Sequence, residues 1–101
     1  MNLKRILPSE FNSLSKINNQ LLVVDIREDY EIQIDGKLNG SIHIPLGDLI
    51  NRLNELPIDK QIIFHCNSGS RSENILNFLI MNGLYKENYF HLEGGFKAIS
   101  K

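Results

Sequence analysis

Residues 61–83 read QIIFHCNSGSRSENILNFLIMNG, an apolar run followed by a polar loop and a second apolar segment. The run Gln61 to Cys66 is short, nearly continuous and rich in β-branched residues, which is typical of a strand buried on both faces of a sheet. In the second segment, apolar residues crowd Ser72 to Asn82, and Gly83 follows as a residue suited to ending a helix. The stretch therefore predicts a strand, a tight loop and a helix.

The rest of the chain repeats this alternation of short strands and helices. The remaining predicted strands are Leu21 to Ile26, Ser41 to Pro45, and Asn88 to Leu92. Further predicted helices span about Pro8 to Ser15, a short acidic stretch after Arg27, and a segment before Pro57 whose leucine-rich face comprises Leu46, Leu49, Ile50 and Leu53. We therefore expect one α/β domain over residues 1–101, with a mostly parallel central sheet flanked by helices.

Composition excludes several classes of partner and location. The 101 residues carry a formal net charge of −1, which gives no field to gather nucleic acid or an anionic membrane. No segment approaches the ~20 apolar residues of a membrane span, and the N-terminus lacks a signal-like apolar stretch. One cysteine cannot form an intramolecular disulfide. We expect a soluble cytoplasmic protein.

The loop that follows the strand Gln61 to Cys66 is the candidate active site. Ligands collect at the carboxyl ends of parallel strands, and a sharp turn over Asn67 to Ser70 would direct several backbone N–H groups at the Cys66 sulfur. Such donors, with the charge of Arg71, favour the nucleophilic thiolate. A buried structural cysteine is the alternative. Cys66 is thus the candidate catalytic residue, and the candidate substrate-binding residues are Asn67, Ser68, Gly69, Ser70, Arg71 and Ser72.

These residues resemble the active-site loop of the single-domain rhodaneses, a family of sulfurtransferases. That loop often reads Cys-x-x-Gly-x-Arg-Ser, as residues 66–72 do here. Three further stretches resemble family patterns in the expected order; their matching residues are Asp25, Arg27 and Glu31, then Gly36, Gly40, Ile44 and Pro45, then Gly94 and Gly95. The resemblance implies a rhodanese-like three-layer fold over almost the whole chain.

The resemblance also implies a reaction. A Cys66 thiolate would take a sulfane sulfur from thiosulfate or a low-molecular persulfide and pass it, from a persulfide, to a thiophilic acceptor, either a small molecule or a sulfur-accepting protein. No metal or organic cofactor is implied. The chain has no second cysteine to resolve the persulfide into a disulfide, which favours a carrier of sulfur over a redox relay.

The sequence departs from the family pattern at several positions. Lys37 and Asn39 stand where histidine and proline are frequent. A tryptophan often follows the Gly-Gly turn in the family, but this chain has none, so Phe96 or Ile99 is expected to fill the core volume that it would occupy. Asn67 and Ser68 are neutral where some relatives carry cations. We therefore expect weak activity toward the thiosulfate dianion.

Other polar residues receive supporting or structural interpretations. Asp25 either hydrogen-bonds the active loop or caps a turn, and Arg27 pairs with Glu31 or bridges to Asp25; both are candidate supporting residues. His65 is expected in a core or supporting position, because adjacent strand residues point to opposite faces. Neither His43 nor His91 lies in a metal-ligand spacing, so no metal site is predicted. Glu73 is expected to face solvent.

Two other functions remain open at this stage. Cysteine-dependent phosphatases and arsenate reductases also place a cysteine-to-arginine anion loop before a helix, but with five intervening residues, whereas Asn67 to Ser70 are four. The second is a non-enzymatic module that carries sulfur or binds a regulatory partner on the same fold. The intact cysteine loop favours the enzyme.

Overall fold

The computed structural model of the protein describes residues 2–15 and 20–99. The strands are β1 (Arg5–Ile6), β2 (Leu21–Asp25), β3 (Ile42–His43), β4 (Gln61–His65) and β5 (Tyr89–Leu92). The α-helices are α1 (Pro8–Ser15), α2 (Asp29–Asp35), α3 (Leu46–Arg52), α4 (Ser70–Met81) and α5 (Gly95–Ile99), and a 3-10 turn, Leu53–Glu55, follows α3.

The strands form one parallel sheet in the order β1-β5-β4-β2-β3. Every strand pairing within the described residues is parallel, and Phe64 in β4 lies opposite Val24 in β2 and His91 in β5. The predicted mixed α/β fold with a parallel central sheet is confirmed. Because β4 is central, the residue that follows it lies at the middle of the carboxyl edge of the sheet.

Helices cover both faces of the sheet. Successive residues of β4 alternate between two apolar clusters, with Ile62 and Phe64 in one and Ile63 in the other. The larger cluster packs α3 and α4 against the sheet, and the smaller packs α1 and α5 against its other face. Burial on both faces explains why β4 is a continuous apolar run.

The helices differ in detail from the sequence prediction. Ile50, placed on the packed face of α3, is 41% exposed, whereas Leu49 is fully buried. In α4, Leu76 and Leu79 are buried, but Met81 is 84% exposed, so this helix buries only one face. The two-residue strand β1 carries no periodic signal and was not predicted. Among the described helices, none has the length and apolar character needed to cross a bilayer.

Candidate active site

The cysteine sulfur lies inside a turn of backbone amides between β4 and α4. The N–H of Gly69 donates to Sγ of Cys66 at 3.1 Å, and the N–H of Ser72 approaches the same sulfur at 3.5 Å. Gly69 has a φ of 109°, which only glycine adopts readily and which allows the chain to turn within three residues of the cysteine. Ser68 and Ser70 have exposed side chains, and Asn67 is half-buried.

This environment favours the thiolate despite burial. Cys66 is 1% exposed, and burial by itself raises the pKa of a thiol. The hydrogen bonds from the backbone and hydroxyl of Ser72 and from the amides of Gly69 and Arg71 outweigh it, so the pKa of Cys66 lies below its usual value. Preorganised donors of this kind can hold a sulfur nucleophile in its ionised form.

The first turn of α5 is hydrogen-bonded to the backbone of the cysteine loop. The Phe96 N–H donates to the Cys66 carbonyl at 2.8 Å, and the Lys97 N–H donates to the Asn67 carbonyl at 3.0 Å. A Cβ at Gly95 would lie 2.6 Å from the Cys66 carbonyl oxygen, so only glycine permits this approach. With these carbonyls directed at α5, the loop amides are free to face the sulfur.

Arg71, the cation of the loop, is held by a carboxylate. Its Nη1 and Nη2 atoms donate to the two carboxylate oxygens of Glu31 in α2, each at 2.7 Å. This pairing with Arg71 lowers the pKa of Glu31 to about 2. Glu31 therefore pairs with Arg71 of the cysteine loop. Arg27, the partner expected for Glu31 from its spacing, binds Asp25 instead.

Asp25 and Arg27 form a buried structural pair behind the site. Arg27 is fully buried; its backbone N–H and its guanidinium donate to the Asp25 carboxylate, and Nη2 also donates to the Gly36 carbonyl at 2.7 Å. Burial raises the pKa of Asp25, but the bonds from Arg27 lower it further than burial raises it. The Arg27 guanidinium lies 4.0 Å from the Phe96 ring centroid. Of the two roles left open for Asp25, these contacts correspond to capping a turn.

The histidines take different positions around the loop. The His65 Nδ1 atom bonds the Cys66 carbonyl at 3.0 Å, and its ring stacks on Phe96, in keeping with a supporting position. His43 bonds the Arg27 carbonyl. His91, for which residue spacing gave no role, is buried and bonds the Ser72 hydroxyl from β5. That contact depends on where β5 and α4 lie relative to one another, which residue spacing does not give.

Acidic side chains next to His91 are compensated by a cation. The Glu73 side chain is partly exposed to solvent, as expected, and also pairs with Arg5. Glu93 bonds both Arg5 and His91. The side chains of Glu73, His91 and Glu93 bring potential metal ligands within 4.8 Å of one another. Since Arg5 is already bound to both carboxylates, we assign no metal to this cluster.

Comparison with known proteins adds to this geometry. The family model of the rhodanese-like domain matches residues 7–101. The Bacillus subtilis (strain 168) protein named "Putative sulfurtransferase YtwF" is 32% identical over 98 residues, covering 97% of this chain and 91% of the relative. The tRNA uridine(34) hydroxylase of Staphylococcus carnosus (strain TM300) is also 32% identical, but this chain covers 32% of its length. A crystal structure of a rhodanese-related protein from Thermoplasma volcanium superposes with a TM-score of 0.77 at 30% identity, covering 94% of this chain and 88% of that one.

Proposed function

Because the chain belongs to the rhodanese-like domain family, we propose that it is a sulfurtransferase, acting as one rhodanese domain in which Cys66 carries sulfur as a persulfide. The observation that carries the proposal is the convergence of the Gly69 and Ser72 amides on the Cys66 sulfur. Donors placed in this way stabilise negative charge on sulfur both before and after it accepts a second sulfur atom.

The reaction consists of two displacements. The Cys66 thiolate attacks the sulfane sulfur of the donor; an S–S bond forms to Sγ, and the donor's S–S bond breaks with its electron pair leaving on sulfite or on a thiolate. A thiophilic acceptor then attacks the terminal sulfur, and the electron pair of the persulfide bond returns to Sγ. Both steps begin and end with anionic sulfur, which is the species that the loop amides bind.

Charge in the loop supports a low-molecular persulfide as a better donor than thiosulfate. Asn67 and Ser68 are neutral, and the charge of Arg71 is compensated by Glu31. A dianion therefore gains less from this loop than it would from an unpaired cation. The acceptor is a small thiophilic molecule or a sulfur-accepting protein.

Intact-mass spectrometry tests the proposal. The reduced protein is incubated with glutathione persulfide or with thiosulfate, and the mass is measured before and after treatment with cyanide. We expect a gain of one sulfur atom that cyanide removes, faster loading from the persulfide, and no gain in Cys66→Ser. Because Cys66 is the only cysteine, any sulfur gained by Cys66→Ser contradicts the proposal. Failure of the wild type to load from either donor does so as well.

An aryl phosphate assay with the same two proteins tests the alternative chemistry. The loop places four residues between Cys66 and Arg71, and the Gly69 amide lies 3.1 Å from the sulfur itself. A cradle of this size suits one sulfur atom. Turnover of the phosphate by the wild type and its loss in Cys66→Ser would favour a phosphatase over a sulfurtransferase.

A further inference from the structure

A line of hydrogen-bonding groups runs from the buried thiol to the protein surface. The Cys66 sulfur lies 3.7 Å from the Ser72 hydroxyl, which lies 2.8 Å from Nδ1 of His91. Nε2 of His91 lies 3.0 Å from the Glu93 carboxylate. Ser72 and His91 are fully buried, whereas the Glu93 side chain is 45% exposed. The line therefore connects a thiol that is itself almost inaccessible to solvent with a carboxylate at the surface.

The partners of His91 determine which atoms carry hydrogen. An ionised carboxylate only accepts hydrogen bonds, so Nε2 of His91 carries the proton that Glu93 binds. Nδ1 of the neutral ring is then an acceptor, and at 2.8 Å it takes the hydrogen of the Ser72 hydroxyl in preference to the Gly69 carbonyl oxygen, which lies at 3.2 Å. Since a hydroxyl has one hydrogen, Ser72 then meets the thiol with a lone pair and accepts the S–H of Cys66.

We propose that His91 is a positioning residue for sulfur transfer, because it takes the proton of the Cys66 thiol through Ser72. The inference rests on the proposed function. The S–H bond breaks with its electron pair remaining on sulfur, and the proton passes to the Ser72 oxygen. The proton of the Ser72 hydroxyl passes in turn to Nδ1 of His91. Ser72 then donates a hydrogen bond to the thiolate, a bond it cannot make while its hydrogen is held by neutral His91.

The charges around His91 suit a proton acceptor. Burial lowers the pKa of His91 more than Glu93 raises it, so the ring is unprotonated near neutral pH and free to accept. Glu93 and Glu73 both stabilise the imidazolium once it forms, and Arg5, which pairs with both carboxylates, opposes it. The thiolate of Cys66 supplies the remaining compensating charge.

His65 is the other buried histidine beside Cys66, and its contacts exclude it from this role. Its Nδ1 atom bonds the carbonyl oxygen of Cys66, so that nitrogen carries a proton and acts as a donor. Its Nε2 atom faces Asp25 at 3.7 Å. Both ring nitrogens are therefore directed at oxygen atoms and away from the sulfur.

The test measures ionisation of the thiol without sulfur transfer. The rate of alkylation by iodoacetamide is followed by intact mass as a function of pH, and the only cysteine makes the signal unambiguous. The key variant is His91→Asn, whose amide oxygen can still accept from Ser72 but cannot take a proton. We expect the midpoint of the alkylation rate against pH to rise by about one pH unit in this variant. A shift of that size corresponds to losing one hydrogen bond to a charged group. His43→Gln, which alters a histidine bonded to the Arg27 carbonyl, should keep the wild-type midpoint.

A surface variant covers the case in which His91→Asn does not fold. Glu93→Gln keeps an acceptor for Nε2 but removes the charge that stabilises the imidazolium. Proton transfer from Cys66 through Ser72 to His91, here called the relay, therefore predicts a higher midpoint for thiol ionisation in this variant. Direct electrostatics predicts the opposite, because removing a nearby negative charge stabilises a thiolate. An unchanged midpoint in folded His91→Asn overturns the relay. If that variant is unfolded, an unchanged or lower midpoint in Glu93→Gln overturns it.

Sulfur loading is measured in parallel by intact mass, so that the two proposals fail separately. If the wild type loads sulfur and His91→Asn keeps its midpoint, the relay is wrong and sulfur transfer stands. If His91→Asn raises the midpoint but the wild type loads no sulfur from either donor, the proton path stands and the proposed function is wrong.

Discussion

Glu31 and Arg71 are 40 residues apart in the chain and are joined by two hydrogen bonds of 2.7 Å each. The pair connects α2 to the first turn of α4, immediately beyond the cysteine loop. The Glu31 carboxylate raises the pKa of the Arg71 guanidinium, and the negative charge of the Cys66 thiolate raises it further. The cation closest in sequence to the sulfur is thus positioned, and partly neutralised, by a carboxylate from another helix.

This pairing predicts opposite effects for two substitutions. Arg71→Ala should slow sulfur loading from thiosulfate about tenfold or more, since loss of one anion-stabilising contact costs a few kcal/mol. Glu31→Gln leaves the charge of Arg71 uncompensated, so it should load thiosulfate at least as fast as the wild type. Initial rates of persulfide formation, measured by intact mass, compare the three proteins. Equal slowing in both variants would mean that the pair acts only to maintain structure.

The same pair predicts how stability depends on pH. The pKa of Glu31 is about 2 in the folded protein against 4.5 ordinarily, so the unfolded chain binds the proton first as the pH falls. The resulting stability is complete above about pH 4.5 and is lost as the pH falls toward 2. After screening by solvent we expect a loss of about 1–2 kcal/mol in the free energy of unfolding.

Urea denaturation across this pH range measures the loss in the wild type and in Glu31→Gln. The difference between the two proteins isolates Glu31 from Asp25, whose pKa is also lowered. Parallel pH profiles for the two proteins would contradict a stabilising role for the pair.

Gly95 should be intolerant of any side chain. An added Cβ would meet the carbonyl oxygen of Cys66 at 2.6 Å and that of Asn67 at 2.8 Å, and the φ of 63° is itself unfavourable for alanine. We expect Gly95→Ala to lower the free energy of unfolding by about 2 kcal/mol or more. Gly47→Ala is the matched control, because Gly47 lies in α3 with no atom within 4 Å of an added Cβ. This variant should be slightly more stable than the wild type. Similar losses in both variants would show that α5 does not press on the cysteine loop.

Asp25 should matter for stability because it compensates a buried cation. Asp25→Asn leaves the fully buried guanidinium of Arg27 with only the half-exposed Asp35 carboxylate, at 3.9 Å, as an anionic partner. We expect a loss of about 3 kcal/mol or more in the free energy of unfolding. The exposed pair Arg52–Glu55 supplies the control, and Glu55→Gln should have a much smaller effect. Comparable effects of the two substitutions in chemical denaturation would contradict the buried-pair interpretation.

Local patterns predicted most of the fold. The apolar run of β4 is a signal carried within a few residues, and both β4 and α1 formed where expected. The strand β1 has two residues, too few for any periodicity, and is defined by its pairing with β5. Ile50 matched the helical spacing of α3, but packing buries Leu49 beside it and leaves Ile50 partly exposed.

The site was less predictable because its contacts are distant in sequence. The turn around Cys66 is local, and glycine at position 69 indicated it. The partner of Arg71 lies in α2 and that of Ser72 lies in β5, and both depend on the order and register of the strands. Residue spacing alone therefore gave His91 no role, although it bonds a residue of the cysteine loop.

Titration of the Cys66 thiol tests the central claim, that main-chain amides hold an ionised sulfur in this loop. Thiolate is followed by ultraviolet absorbance against pH, and the Cys66→Ser signal is subtracted so that tyrosine ionisation cancels. The account predicts a midpoint clearly below the ordinary value of 9.0. A midpoint at or above 9.0 would mean that burial outweighs the amides and would contradict the account.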